Sequence, residues 1–312
     1  MTGIEKAQEI MEEVKKVVFG KDEVIKQIMT CFLAGGNVLV DDIPGVGKTT
    51  LALAFARAMG MEEQRIQFTP DVMPSDVLGF TTYDMEKKEF VYKKGAVFCN
   101  LLLADEINRT SSKTQSALLE AMEEKSVTVE GKTYPLGNPF LVIATQNPTG
   151  SVGTNMLPES QLDRFMIRTS MGYPLKEYEI QMLLGKQNDM DHNHVTKVSS
   201  VEEFLSMQDE VKEVYIHPRI LDYIVSLVQA TRNRETIRLG VSPRGTIACM
   251  QMSKAYAYLE GRDYVVPGDV KNILLPTIGH RILLSRGHTS EDIKKELDDI
   301  LDQVGVPAKE SL

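Results

Sequence analysis

One decapeptide constrains this chain more than any other: DDIPGVGKTT, residues 41–50. It lies between a short apolar run (37–40, NVLV) and a segment whose apolar residues recur with helical period until Gly60. A strand that enters a glycine-rich bend and leaves as a helix gathers backbone N–H groups around one point, at the positive end of a helix dipole. Such a bend cradles phosphate. Gly45, Val46 and Gly47 make the bend, Lys48 reaches toward the outer phosphates, and Thr49, followed by Thr50, offers a hydroxyl to Mg²⁺. One position departs from the usual G-x-x-x-x-G-K-[ST], because Asp42 stands where the first glycine belongs. Aspartate tolerates unusual backbone angles better than most residues, so the turn is retained in this reading. The competing reading is a chance glycine turn ahead of a helix.

Three further strings suit the same chemistry. In NLLLADEINR (100–109) two acids follow an apolar strand. Asp105 would hold Mg²⁺ through water and Glu106 would polarise the attacking water, although acids after a strand are also common surface turns. The run FLVIA (140–144) leads into TQNP, where Asn147 would meet the γ-phosphate side of the sheet edge, unless the string is only an Asn-Pro turn. Arg164 in LPESQLDRF (157–165) and Arg244 in GVSPRG (240–245) sit beside turn residues, from which a guanidinium can project toward phosphoryl charge. A surface ion pair is the plainer account of either arginine.

Short apolar strands alternating with helical segments predict a parallel sheet covered on both faces. Residues 81–98 and 127–136 alternate polar and apolar around a turn and predict hairpins. Beyond Tyr173 and Pro174 helical periodicity prevails, which places a boundary between residues 1–173 and a helical domain at 174–312. The 312 residues carry 35 Lys+Arg against 44 Asp+Glu, a net charge of −9 that would repel a nucleic-acid backbone without a segregated basic patch. The hairpin at 81–98 carries Lys87, Lys88, Lys93 and Lys94 against Asp84, Glu86 and Glu89, a net of only +1. Three separated cysteines, Cys31, Cys99 and Cys249, make no disulfide framework and fit a reducing cytoplasm. The charged N-terminus is unlike a signal peptide, and no window approaches the ~20 apolar residues needed to span a bilayer. His192 and His194 have a spacing a metal could use but no third ligand nearby. Ser242 lacks a histidine and an acid in a suggestive arrangement, and Met250 and Met252 read as adaptable core filling.

Together, VVFGKDEVIKQI, DDIPGVGKTT, RIQFTPDVMPSDVLG, GAVFCNLLLADEINR, LLEAMEEKSVTVEG, ATQNP, LPESQLDRF and GVSPRG closely resemble the MoxR family of AAA+ ATPases, in order from about residue 17 to 280. The resemblance implies an α/β fold, a P-loop αβα sandwich followed by a small all-α lid, with ATP and Mg²⁺ as ligands. It implies that Lys48 and Thr49 belong to Walker A, Asp105 and Glu106 to Walker B, Asn147 to sensor 1 and Arg244 to sensor 2. Arg164 would be a finger inserted into a neighbour's site, and Val18, Phe19 and Gly20 fall where such proteins contact adenine. The resemblance also implies a homo-hexamer acting on a client protein, in chaperone-like maturation or metal-cofactor insertion, beside partners containing a von Willebrand factor A domain. A nucleic-acid motor and a non-hydrolysing nucleotide-gated scaffold are the alternative readings.

Overall fold

The computed structural model describes residues 2–43, 45–147, 156–187, 194–287 and 289–307. Helix α1 (Gly3–Lys15) opens on a capping box between Thr2 and Glu5 and turns Ala7, Ile10 and Val14 inward. Beyond it the chain turns through the left-handed region at Gly20 (φ 67°) into α2 (Asp22–Leu33). Strand β1 (Val38–Asp41) feeds α3 (Lys48–Met59), which Gly60 closes in a left-handed cap. Next come β2 (Glu63–Gln67), α4 (Pro74–Leu78) and a hairpin of β3 (Gly79–Asp84) with β4 (Glu89–Lys94). Strand β5 (Leu101–Asp105) leads through a single 3-10 turn (Ile107–Arg109) into α5 (Ser112–Glu124). A second hairpin, β6 (Ser126–Val129) with β7 (Lys132–Pro135), precedes β8 (Leu141–Gln146), α6 (Glu159–Leu162) and β9 (Ile167–Thr169).

The remaining chain is dominated by helices: α7 (Lys176–Gln187), α8 (Val201–Glu213) and α9 (Pro218–Arg232), then α10 (Pro243–Leu259), α11 (Pro267–Ile278) and α12 (Ser290–Gln303). A small antiparallel ladder of β10 (Ile237–Leu239) and β11 (Leu283–Leu284), which no sequence signal announced, lies among them.

Five strands form one parallel sheet in the order β2-β5-β8-β1-β9. Side chains alternate across a strand, so each central strand feeds two cores. Val38, Val40, Leu101, Leu103, Leu141 and Ile143 join the cluster beneath α1, α2 and α3. Leu39, Leu102, Ala104, Val142 and Ala144 join the opposite cluster with Leu118 and Met122 of α5. This is the αβα sandwich. The first cluster continues without a break into Leu227 of α9 and Cys249 and Met252 of α10, so the C-terminal helices share the core of the sheet domain. All three cysteines are free and buried.

Two of the five strands carry no apolar run. The β2 sequence EQRIQ lies at the sheet edge with most side chains exposed, where charge discourages pairing with a foreign strand. Strand β9 is three residues long and is set by its ladder to β1, Val38 facing Ile167 and Val40 facing Thr169. Both expected hairpins form, the first beginning two residues before the expected stretch.

Candidate functional site: a phosphate loop opposite two acids

Parallel pairing aligns the carboxyl ends of the inner strands: Asp41 faces Gln146 across β1 and β8, and Gln67 faces Asp105 across β2 and β5. The loop after β1 opens onto this edge, where ligands of open α/β sheets bind. Gly45 and Gly47 have φ of 85° and 93°, conformations that L side chains resist, and a Cβ at Gly45 would meet nothing within 4 Å. Helix α3 starts at Gly47 without a side-chain cap. Its first N–H groups therefore face the bend unsatisfied by any cap, as an anion site requires.

Lys48 is buried and its Nζ donates to the Asp42 carbonyl at 2.7 Å. Burial pushes its ammonium below the ordinary lysine range, against the opposing pull of Asp105, Asp42, Glu106 and Asp41. An ammonium carries three N–H donors, and phosphate oxygens are acceptors it can serve. Thr49 and Thr50 are half-buried on the first turn, and Val46 is buried beneath the bend.

Asp42 does something other than tolerate unusual angles. Its backbone is outside the left-handed region. Its buried carboxylate accepts from Gly172 N at 2.6 Å, Ser170 Oγ at 3.0 Å and Ile43 N at 2.9 Å. The aspartate thus ties the exit of β1 to the chain leaving β9, a cross-strand role invisible in a linear motif.

Asp105 ends β5 and Glu106 follows it. Thr145 Oγ1 donates to Asp105 Oδ1 at 2.6 Å and accepts from Glu106 N at 2.8 Å, so one hydroxyl on β8 fixes both acids. Arg65 of β2 donates to Asp105 Oδ2 at 2.9 Å. Glu106 sits at φ 56°, a left-handed conformation that turns its carboxylate away from the strand line. That carboxylate accepts from Asn147 Nδ2 at 3.0 Å, Gln67 Nε2 at 2.9 Å and Arg109 Nη1 at 2.7 Å. Burial alone would raise its proton affinity, but the bonds from Arg109 and Asn147 outweigh this and hold it below the usual carboxylate range. It is ionised at neutral pH. Arg65, Gln67, Arg109 and Thr145 were not picked out from sequence, and only the spacing of Arg109, three residues after Glu106, carried any signal.

Asn147 leaves its Oδ1 buried with no partner, as does the Oε1 of neighbouring Gln146. The carboxylate of Asp105 and the hydroxyl of Thr49 are hard oxygen donors, the kind that suits a cation such as Mg²⁺. At the other side of the bend Val18 is buried, Phe19 and Gly20 are half-buried, and the Tyr178 ring of α7 fills the space a Cβ at Gly20 would take. Lys21 pins this turn by donating to the Gly172 and Tyr173 carbonyls at 3.3 and 3.1 Å.

The two arginines are elsewhere. Arg164 Nη1 lies 2.8 Å from Glu123 Oε2 and donates to the Leu119 carbonyl at 3.1 Å. Arg244 pairs with the other oxygen of Glu123. Glu123 is in the last turn of α5, roughly 17 Å along the axis from the end nearest Glu106, at 1.5 Å per residue. Structure therefore groups Lys48, Thr49, Asp105, Glu106 and Asn147 at one edge, and Arg164 with Arg244 at another. His192 lies outside the described residues, and no cluster of three potential metal-ligating His, Cys, Asp or Glu occurs among those described. No described helix is long and apolar enough to cross a membrane.

A phosphate loop, paired acids and a helical C-terminal region define a P-loop ATPase of the AAA+ type. Residues 37–167 match the ATPase family associated with various cellular activities (AAA), and residues 229–304 match the AAA lid domain. The chain is 45% identical to the uncharacterized protein YeaC of Bacillus subtilis, covering 96% of this chain and 95% of that one. It is 36% identical to chaperone MoxR1 of Mycobacterium tuberculosis, covering 95% of this chain and 81% of that one. A crystal structure of a candidate ATPase from Cytophaga hutchinsonii superimposes with a TM-score of 0.90 at 38% identity, over 98% of this chain and 96% of the other. The chain belongs to the MoxR family of AAA+ ATPases.

Proposed function

We propose that this ATPase is completed only by assembly: the site holding ATP on one chain takes its arginines from the next. The observation that carries this reading is the separation just described, in which Arg164 and Arg244 share Glu123 at the far end of α5 while Glu106 is surrounded by Gln67, Arg109 and Asn147. A closed ring, of six by family resemblance, supplies every site with a neighbour.

In this reading Gly45 to Thr50 hold the triphosphate, with Lys48 exchanging the Asp42 carbonyl for phosphate oxygens. Val18, Phe19 and Gly20 receive the adenine. Thr49 and Asp105 would hold Mg²⁺, which neutralises charge on the phosphate oxygens when bound. Glu106, ionised and held by three donors, orients and deprotonates the attacking water. Asn147 keeps Glu106 in place through Nδ2. Arg164 and Arg244 leave Glu123 for the neighbour's phosphate and stabilise charge there, an effect worth ~10³–10⁵ in rate for such fingers.

The domain division at residue 173, the cytoplasmic setting and the action on a client protein are part of the same proposal. The hairpin of β3 and β4 supports the last, since Met85, Phe90, Phe80 and Tyr83 are exposed there. Chaperone MoxR1 supports a protein client by its name. Metal-cofactor insertion and a von Willebrand factor A partner rest on resemblance alone. The test is ATP turnover per chain across a dilution series, with sedimentation alongside: specific activity must fall as the assembly dissociates. Constant specific activity in the monomer would refute the proposal. Crosslinked capture with Glu106→Gln held in ATP then identifies the client.

A further inference from the structure

Asp163, the residue before Arg164, is the meeting point of three elements. Its Oδ1 accepts from Arg281 Nε at 2.8 Å, and its Oδ2 accepts from Ser242 Oγ at 2.9 Å, with Arg244 Nη1 at 3.8 Å. Arg281 is 7% exposed and spends its remaining donors on the carbonyls of Asp163 (3.2 Å), Phe165 (2.7 Å), Met166 (3.1 Å) and Thr277. Ser242 caps α10, the helix whose first turn carries Arg244. A planar guanidinium that is buried and bonded along both edges is a rigid strut, because turning it would strand several polar groups at once.

We propose that the Asp163–Arg281 pair positions both Arg164 and Arg244, so that the two arginines reach the neighbouring nucleotide as one unit. Arg281 anchors the turn that carries Arg164, and the same carboxylate, through Ser242, sets the start of the helix that carries Arg244. Neither Asp163 nor Arg281 needs to touch ATP; each is a positioning residue. This inference rests on the assembled-site reading above.

The experiment is a kinetic comparison of Asp163→Asn, Arg164→Ala, Arg164→Ala/Arg244→Ala and the triple variant in the full chain. Asp163→Asn should lower kcat at least tenfold with KM changed less than about twofold, since substrate binding lies at the Lys48 edge. The triple variant should match Arg164→Ala/Arg244→Ala within about twofold, because a residue that acts through two others adds nothing once both are gone. Asp163→Glu should restore part of the rate. Arg281→Lys, which keeps the buried charge and loses the fork, should reproduce the kcat loss and serves if Asp163→Asn fails to fold. A further loss in the triple variant beyond that of Arg164→Ala/Arg244→Ala, or a loss expressed in KM, would overturn the positioning role and leave the assembled-site reading intact. An Arg164→Ala variant with full kcat would overturn both.

Discussion

Asn147 donates to Glu106 at 3.0 Å, joining the end of β8 to the end of β5 across the edge onto which the glycine bend opens. This bond, with that from Arg109, keeps the Glu106 carboxylate charged and aimed. Glu106→Gln should keep ATP affinity within a few-fold, yet cut turnover by ~10²–10⁴, the usual contribution of a positioned general base. Nucleotide titration followed by a phosphate-release assay checks both halves.

Lys48→Ala removes the one buried ammonium among the described groups at the bend. It also leaves the Asp42 carbonyl without its side-chain donor. Calorimetry should show no measurable ATP binding. Affinity equal to the parent would exclude the loop as the phosphate site.

Asp42→Gly would restore the commoner glycine of the motif, and should nevertheless harm the protein. Three donors, Gly172 N, Ser170 Oγ and Ile43 N, would lose their acceptor. The expected loss is ~1–3 kcal/mol for buried donors left unsatisfied, read as a lower denaturation midpoint. A glycine variant as stable as the parent would show that those bonds contribute nothing.

Burial raises the thiols of Cys99 and Cys249 to about 12, and that of Cys31 further in the same direction. All three should resist a thiol reagent in the native protein at pH 8, and all three should react once denatured. Fast labelling of the folded chain would contradict the packing of α2 and α10.

Much of this arrangement could be read in the chain before it was folded, and the reasons differ by element. The strands β1, β5 and β8 are buried on both faces, so each shows a short run of apolar residues, and the bend after β1 carries glycines because φ there is positive. Strand β2 showed no such run because it is an exposed edge, and its Arg65 and Gln67 gain meaning only when the ladder sets them beside Asp105 and Glu106. Asp42 read as a flaw in a motif because its partners, Ser170 and Gly172, are about 130 residues away. Likewise Arg164 and Arg244 were legible as candidates singly, whereas their convergence on Glu123 depends on how α5, α6 and α10 pack.

The central claim, that one active site draws on two chains, is tested most directly by mixing. Arg164→Ala has an intact phosphate loop, Lys48→Ala has an intact finger, and each alone should be nearly inactive. Co-assembled, some interfaces pair the intact loop of one with the intact finger of the other, and ATP turnover should recover to a measurable fraction of the parent rate. Verified mixed assemblies that stay as inactive as either variant would contradict the account.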